Sequence, residues 1–344
     1  MSSSSAPGRV NLLGEHTDYN GGWVLPVAIP QRTWVEVKLR PDRLAHLWSA
    51  SAGMSEYVVG QEKPRGDWSD YVQGVTWALG EKGIEVPGFD LKIRSDVPVG
   101  SGLSSSAALE LALLRALRAE LKLGLDDVEL ALLGRRAENG FVGAPVGVMD
   151  QMAASLASTN EALFLDTQTL AFSRVPLPPK AQLLVVDSGV AHQHATGDYK
   201  TRKAECDEAA RLLGVASLRE VQSLETLKML PSPLDRRARH VLSENARVHA
   251  GVQAMKSGDL ARLGALFDES HASQRDDYAC SVPKVDALQD ALRRERGVLG
   301  ARLTGGGFGG SVVALVGPAG DAAEIGAKVT RALGGQVLVP EARK

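Results

Sequence analysis

A glycine- and serine-rich segment constrains the fold of this chain most, because it joins a strand-like run to a helix-like run. Residues 89–94 (FDLKIR) alternate apolar and polar side chains, which is the period of a half-buried strand. Residues 98–108 (PVGSGLSSSAA) follow, and residues 104–123 then form a long apolar-rich run. Gly124 ends that run, where a helix C-cap glycine is expected. The pattern therefore predicts a strand, a tight loop and a long helix in this order.

The loop itself is suited to bind phosphate. Its glycines let the backbone approach a ligand closely. Its serines lie in the first turn of the predicted helix, where N–H groups and the positive end of the helix dipole face outward. The alternative is a loop whose serines only cap the helix, although three consecutive serines exceed what one cap needs. The segment contains no Gly-Lys-Ser/Thr and is therefore not a Walker loop.

The remaining patterns favour an α+β fold with two domains. Strand-like runs lie at residues 34–39, 183–188 and 311–316, and helix-like runs at residues 126–138, 198–213 and 235–256. They are mixed without a regular β–α alternation, which favours α+β over a doubly wound sheet. A chain of 344 residues is long enough for two domains with ample cores. The segment PLPPK at residues 176–180 is the best boundary, so the predicted domains are 1–177 and 178–344.

Charge and composition exclude several classes of protein. The formal net charge of −2 argues against a broad nucleic-acid interface, which needs a basic surface. No run of about 18 apolar residues occurs, and the N-terminal MSSSSAPGRV lacks the basic and apolar regions of a secretory signal. The two cysteines, Cys206 and Cys280, are far apart and have no metal-like spacing. We expect a cytoplasmic protein with free thiols that binds neither membrane nor nucleic acid.

A second glycine cluster, GGGFGG at residues 305–310, formally matches G-x-G-x-x-G. A dinucleotide fingerprint follows a strand and opens a helix near the start of a βαβ unit. Here the cluster precedes a strand-like run near the C-terminus, so the dinucleotide interpretation is disfavoured. A loop that lets two domains approach closely beside a ligand fits better, and a purely structural glycine turn is the alternative.

The N-terminal segment RVNLLGEHTDYNGG, residues 9–22, places Arg, Glu, His and Asp among apolar residues and glycines. A solvated turn with a hairpin at Asn20-Gly21 is the plain interpretation. A turn rarely needs so many different hydrogen-bonding groups, however. Carboxylates and an imidazole suit a polyhydroxylated ligand, which needs paired donors and acceptors. The segment is therefore a candidate site for a sugar or polyol.

Two acids in the middle of the chain are candidates for chemistry. Asp150 lies in an otherwise apolar stretch, GVMDQM at residues 147–152, where it is either the N-cap of the following helix or a buried functional group. Glu138 lies near the end of its own predicted helix, where an acid opposes the helix dipole. An added cation would offset that charge, so Glu138 is a candidate metal ligand.

Together these segments resemble the galactokinase family, within the superfamily of galacto-, homoserine, mevalonate and phosphomevalonate kinases. Residues 6–26 (APGRVNLLGEHTDYNGGWVLP) resemble the galactokinase signature, which is highly specific for that branch. Residues 98–109 resemble the superfamily's ATP loop, residues 147–151 its catalytic-aspartate motif, and residues 304–310 its third glycine motif. All four occur in the family's order, so the resemblance covers nearly the whole chain. Only five residues precede Ala6, where the family usually carries a longer stretch.

The resemblance implies a role for each matched position. Asp150 would be the general base near the C1 hydroxyl of the sugar, with Arg9 close by, and both are implied to be catalytic. Ser106 and Glu138 would hold Mg²⁺. The implied sugar-binding residues are Arg9, Glu15, His16, Asp18, Gly147, Asp150 and Tyr199. The implied ATP-binding residues are Trp68 and Tyr71 on the adenine side, and Gly100, Ser101, Gly102, Leu103, Ser104, Ser105 and Ser106 in the loop.

The implied fold has an N-terminal domain like a ribosomal-protein domain and a ferredoxin-like C-terminal domain. The implied activity is phosphorylation of the C1 hydroxyl of α-D-galactose by ATP, which gives galactose 1-phosphate in the first committed step of galactose use. We expect a monomer. Two alternatives stay open, namely a kinase for a related sugar and a non-catalytic galactose and ATP sensor. Such sensors lack two residues after the loop serines, whereas Ala107 and Ala108 are present here, which favours the enzyme.

Overall fold

The computed structural model describes residues 1–190 and 195–340, without the side chains of residues 195 and 196. The chain folds into two compact units. Unit 1 comprises Met1–Arg9, Ala28–Val99 and Ser104–Ala157, and unit 2 comprises Val10–Val27, Gly100–Leu103 and Ser158–Lys344. Each unit is thus built from segments that alternate along the chain. The predicted domains 1–177 and 178–344 stay a prediction.

The described residues form helices and strands throughout the chain. In chain order, the strands are β1 (Ser2–Asn11), β2 (Trp23–Val24), β3 (Pro26–Leu39), β4 (Leu44–Ser49), β5 (Gly53–Val58), β6 (Phe89–Ser95), β7 (Glu161–Asp166), β8 (Phe172–Pro176), β9 (Gln182–Asp187), β10 (Val298–Thr304), β11 (Ser311–Val316) and β12 (Gln336–Val339). The α-helices are α1 (Ser69–Glu81), α2 (Ser105–Glu120), α3 (Asp127–Ala137), α4 (Met149–Leu156), α5 (Ala195–Leu213), α6 (Leu234–Ser257), α7 (Leu260–Asp276), α8 (Pro283–Arg293) and α9 (Ala322–Leu333). None of the helices in these described ranges is long and apolar enough to span a membrane.

In unit 1, helices α1 to α4 share an apolar core with a mixed sheet. Strand β3 pairs with β1 and runs antiparallel to β6, β6 runs parallel to β4, and β4 runs antiparallel to β5. The alternation in the sequence buries one face of this sheet, as Val35, Val37 and Leu91 show. These side chains pack in one core with residues of the helices, among them Leu111 and Leu114 of α2. The strands expected at residues 34–39 and 89–94 are therefore confirmed.

Helix α2 is shorter than the sequence indicates. The prediction that Gly124 is its C-cap glycine is wrong, because the helix ends at Glu120. Lys122 takes the left-handed conformation with a φ of 52°. The N–H of Leu123 then donates to the carbonyl of Arg118 at 2.9 Å. This is the pattern of a Schellman ending, with a lysine in the position that glycine usually fills.

Unit 2 contains an antiparallel sheet in the order β10-β11-β9-β12. Every residue of β11 is buried, which explains why its sequence is an apolar run without alternation. Apolar residues of α5, α6, α8 and α9 pack in one core with this sheet. The shorter strands β2, β7 and β8 pair antiparallel with one another, and β7 also pairs with the start of β3 through Ala162 and Val27. Both units combine sheets and helices without a doubly wound arrangement, so the α+β prediction is confirmed.

A buried charge network connects three segments of unit 2. Arg302 on β10 is 0% exposed, and its guanidinium donates to the carbonyls of Asn11 and Leu12 at 2.7 and 3.0 Å. The same guanidinium lies 3.7 Å from the carboxylate of Glu15 and 3.8 Å from that of Glu244 on α6. Arg302 therefore links the segment after β1 to both β10 and α6.

Glu244 accepts three described hydrogen bonds in this network. Its carboxylate accepts from Arg247 at 2.6 Å, from the hydroxyl of Ser270 at 2.7 Å and from the backbone N–H of Gly14 at 2.9 Å. Burial raises the pKa of Glu244, but Arg247 and Arg302 outweigh burial and hold that pKa well below its usual range. The carboxylate is thus ionised, and it depends on its arginine partners.

The first prediction tests this dependence. Arg302→Met keeps most of the side-chain volume but leaves Glu15 and Glu244 buried with one cation fewer. Removing one partner from a buried charge pair costs about 3–5 kcal/mol, so a large drop in the unfolding midpoint is expected in thermal or urea unfolding. Arg331→Met, on the exposed face of α9, is the matched control. Equal midpoints for the two variants would show that the buried network does not stabilise unit 2.

Candidate functional site

Asp150 is held by two side chains of unit 1. It lies in the first turn of α4, whose N-cap residue is Val148, so Asp150 is not the N-cap itself. Arg9 on β1 is 4% exposed and donates to both carboxylate oxygens of Asp150, at 2.8 and 2.7 Å. The hydroxyl of Ser104 donates to the same carboxylate at 2.5 Å. Of the two alternatives that the sequence left open, the N-cap role is therefore excluded.

A second cluster in unit 1 joins Ser106 to Glu138. The hydroxyl of Ser106 donates to the Glu138 carboxylate at 3.2 Å, near the start of α2. Glu138 lies directly after α3, where the chain makes a single π-helical turn, and it is 7% exposed. Its other oxygen accepts from the amide of Gln151 at 2.7 Å, and that amide also lies 3.3 Å from Glu110. Ser106, Glu138, Gln151 and Glu110 therefore form one chain of contacts.

The electrostatics of this cluster follow from burial. Burial, and then the nearby Asp150, raise the pKa of Glu138 above its usual range. Burial and the charge of Glu138 raise the pKa of Glu110 still further. Burial and Glu138 also raise the pKa of Tyr71 to about 12. A divalent cation beside Glu138 would counter these effects, because an opposite charge favours the ionised carboxylate.

The pair Ser106 and Glu138 offers hydroxyl and carboxylate oxygens, which are ligands that Mg²⁺ accepts. Within residues 1–190 and 195–340, no group of three His, Cys, Asp or Glu side chains is arranged to hold a metal ion. Magnesium usually keeps several waters and binds through one or two protein groups together with substrate phosphates. The two side chains therefore fit a metal that arrives with a nucleotide, and they do not fit a closed protein cage.

In unit 2, Glu15 of the signature holds the second glycine cluster. Its carboxylate accepts the backbone N–H of Gly305 at 2.7 Å and the hydroxyl of Thr304 at 3.1 Å. Glu15 is 1% exposed. Gly305 has a φ of 87°, and an added Cβ there would lie 2.8 Å from the carbonyl oxygen of Gly102 in the loop after β6. Glycine at position 305 thus permits a close backbone approach to Gly102 within unit 2.

His16 lies in an aromatic cluster of unit 2. Its ring centroid is 4.6 Å from that of Tyr278 and 5.5 Å from that of Tyr199. Its Nδ1 lies 2.9 Å from the hydroxyl of Tyr19, which is hydrogen-bonded to Tyr278. Burial, and then His240, lower the pKa of His16 to about 3. The imidazole is therefore neutral near pH 7, and it serves as a hydrogen-bonding group without charge.

The other predicted site residues have the following positions. Trp68 is the N-cap residue of α1 and Tyr71 lies in its first turn, both in unit 1. Gly147 is buried just before α4, in the same unit. In unit 2, Asp18 is half-buried and accepts the N–H of Tyr19. The loop residues Gly100, Ser101, Gly102 and Leu103 belong to unit 2, whereas Ser104, Ser105 and Ser106 belong to unit 1. Unit 1 therefore brings Arg9, Ser104 and Asp150 together. In unit 2, Glu15 contacts the second glycine cluster, and His16 and Tyr199 lie in the aromatic cluster.

Sequence reasoning missed Glu110 and Gln151. Both are 0% exposed, and both contact the predicted metal ligand Glu138 or its partner. Glu110 is a lone acid in the apolar run after the loop serines, four residues after Ser106 and thus on the same helix face. That spacing could have identified Glu110 from the sequence. Gln151 follows Asp150 directly and carried no signal of its own.

Comparison with known proteins identifies the family of the chain. The chain matches the "GHMP kinases N terminal domain" over residues 70–158, the "Galactokinase galactose-binding signature" over residues 3–39, and the "GHMP kinases C terminal" region over residues 252–335. Arg9, Glu15 and His16 fall in the signature match, and Ser104, Ser106, Glu138 and Asp150 fall in the N-terminal match. The C-terminal match includes Tyr278 and the second glycine cluster.

Several curated relatives match this chain over most of its length and most of theirs. A galactokinase from Streptomyces coelicolor is 46% identical over 328 residues, which cover 92% of this chain and 84% of that protein. A galactokinase from Mycobacterium bovis is 44% identical over 340 residues, which cover 96% of this chain and 93% of that protein. One from Thermotoga neapolitana is 42% identical over 312 residues, 90% of this chain and 88% of that protein.

Solved structures have the same fold. The structure of Lactococcus lactis galactokinase complexed with galactose is 34% identical and has a TM-score of 0.91, covering 98% of this chain and 92% of that one. Methanococcus jannaschii mevalonate kinase is 19% identical with a TM-score of 0.73, covering 98% and 96% of the two chains, and it supports the fold alone. The two-domain fold that the sequence implied is confirmed, and the chain belongs to the galactokinase family of the GHMP kinases.

Proposed function

We propose that the protein transfers the γ-phosphoryl group of ATP to the C1 hydroxyl of α-D-galactose, giving galactose 1-phosphate and ADP. The observation that carries this proposal is the carboxylate of Asp150 held by Arg9 and Ser104 at the start of a helix. In unit 1 it adjoins a second acid, Glu138, whose serine partner lies in the phosphate-loop segment. A proton acceptor near a pair of metal-ligating oxygens suits phosphoryl transfer to a hydroxyl.

Asp150 is the proposed general base. The sugar hydroxyl oxygen bonds to the phosphorus, the bond between that phosphorus and ADP breaks, and the hydroxyl proton passes to a carboxylate oxygen of Asp150. A sugar hydroxyl is far more basic than a carboxylate, so the proton moves late in the reaction. Arg9 holds the carboxylate in place by donating to both of its oxygens.

Ser106 and Glu138 are the proposed Mg²⁺ ligands. When bound, the metal supplies positive charge to the phosphate oxygens during transfer. The first turn of α2 presents unpaired N–H groups after the glycines at 100 and 102, whose φ values are 78° and 76°. These groups suit the phosphates of the nucleotide. Trp68 and Tyr71 are the proposed adenine-side residues.

The signature residues are the proposed sugar contacts. These proposed contacts are the residues that the family resemblance implies, namely Arg9, Glu15, His16, Asp18, Gly147, Asp150 and Tyr199. The carboxylate of Asp18 and the neutral imidazole of His16 offer acceptors and a donor to sugar hydroxyls. Support for galactose as the sugar comes from the signature match and from the galactose complexed with the Lactococcus lactis relative. We further propose a cytoplasmic monomer.

The second prediction concerns the base. Asp150→Asn keeps the shape of the side chain and removes its charge, so turnover should fall by at least about 10²-fold while the protein stays folded. Initial rates from a coupled ADP-release assay give the measurement. Asp127→Asn is the matched control, because Asp127 also lies in the first turn of a helix and pairs with an arginine, Arg118. Turnover near the wild-type value in Asp150→Asn would refute the assignment.

The third prediction concerns the metal. Ser106→Ala and Glu138→Gln each remove an oxygen ligand, so each should raise the Mg²⁺ concentration that gives half the maximal rate. Binding of Mn²⁺ in the presence of a nucleotide, followed by electron paramagnetic resonance, should weaken in parallel. Glu81→Gln, an exposed glutamate in unit 1, is the control. If neither variant changes the metal titration, the metal ligands lie elsewhere.

The fourth prediction concerns the substrate. Galactose and glucose differ only in the direction of the C4 hydroxyl, and a site built to bond a hydroxyl discriminates against an analogue that leaves its polar groups unpaired. The kcat/KM for glucose should therefore be at least about 10²-fold below that for galactose. Asp18→Ala should lower kcat/KM for galactose without creating good glucose activity. An ADP-release assay over a panel of sugars measures both, and it also separates an enzyme from a non-catalytic sensor.

Two results would contradict the fourth prediction. Glucose turnover within a few-fold of galactose would reduce the assignment to a broader sugar kinase. Absence of ADP release with every sugar, together with measurable galactose and ATP binding, would favour the sensor. Ala107 and Ala108, the residues expected to be missing in a sensor, are both fully buried in α2.

A further inference from the structure

Ser104 occupies an unusual position for a serine. It is the N-cap residue of α2, but its side chain makes no capping hydrogen bond to the helix backbone. Its φ of 62° and ψ of 50° are left-handed, a conformation that is strained for a residue other than glycine. Helix capping and backbone conformation therefore both fail to explain why a serine stands here.

The contact that does explain it is the one to Asp150. The Ser104 hydroxyl donates to Oδ2 of Asp150 at 2.5 Å, across 46 positions of the chain. Nη2 of Arg9 lies 2.7 Å from both carboxylate oxygens of Asp150, and Nε of Arg9 donates to Oδ1 at 2.8 Å. Arg9 and Ser104 together therefore hold both oxygens of this carboxylate.

We propose that Ser104 is a positioning residue for Asp150 and does not bind phosphate through its hydroxyl. Together with Arg9, the hydroxyl fixes the orientation in which the carboxylate meets the proton of the substrate. This rests on the proposed function, in which Asp150 is the base. It differs from the role implied for Ser104 by the family resemblance, which places this serine among the nucleotide-binding residues.

Ser104→Gly separates the two roles, because glycine adopts a φ of 62° without strain and lacks only the hydroxymethyl group. Hydrogen bonds to charged groups are worth about 1.5–3 kcal/mol, so kcat should fall by about tenfold or more. The KM for ATP, and the dissociation constant of a non-hydrolysable ATP analogue measured by calorimetry, should stay within about twofold of wild type. A weaker analogue affinity with an unchanged kcat would instead assign the hydroxyl to phosphate and overturn the proposal.

The fifth prediction is a double-mutant cycle with Asp150→Asn. If Ser104 acts through Asp150, adding Ser104→Gly to Asp150→Asn should lower the residual turnover by less than about twofold, because coupled residues are not additive. Losses that multiply would show that Ser104 acts elsewhere, and would overturn this proposal alone. Near-wild-type turnover in the single variant Asp150→Asn would remove the proposed base, and the role of Ser104 with it. Circular dichroism and unfolding midpoints confirm that each variant is folded.

Discussion

The ion network around Arg302 fixes the signature segment in unit 2. A guanidinium with 0% exposure is tolerated only when its charge is paired, and here the partners are the carboxylates of Glu15 and Glu244 and two backbone carbonyls. Glu15 in turn accepts the N–H of Gly305, so one buried charge network anchors both the signature and the second glycine cluster. The position of the neighbouring His16 therefore depends on residues nearly 300 positions later in the chain.

In unit 1, the acids Asp150, Glu138 and Glu110 differ in the charge of their hydrogen-bond donors. Asp150 contacts the guanidinium of Arg9, whereas the hydrogen bonds described for Glu138 and Glu110 come from neutral donors, a serine and a glutamine. Burial and neighbouring carboxylates raise the pKa of both glutamates. Among these described contacts, Glu138 therefore has no cationic hydrogen-bond donor, whereas Asp150 has Arg9. That difference matches their proposed roles, because a metal ligand receives its cation with the nucleotide and a base must be positioned beforehand.

The sequence predicted what depends on local pattern. Strands β3, β6 and β11 follow from alternation or apolar runs, and the loop glycines follow from their required φ values. It could not predict the end of α2, because Lys122 takes a left-handed conformation that propensity assigns to glycine. Nor could it predict that Gln151 bridges two glutamates or that Arg302 lies beside Glu15, since these contacts depend on tertiary packing. The roles of the site residues came from the family resemblance rather than from periodicity.

The environment of Asp150 suits a base that acts late. A bidentate arginine and a serine hydroxyl hold the carboxylate in place before the reaction begins. In a loose phosphoryl-transfer transition state, the hydroxyl becomes strongly acidic only as its oxygen bonds to phosphorus. Accurate placement of the carboxylate by Arg9 and Ser104 therefore matters more for this step than early removal of the proton.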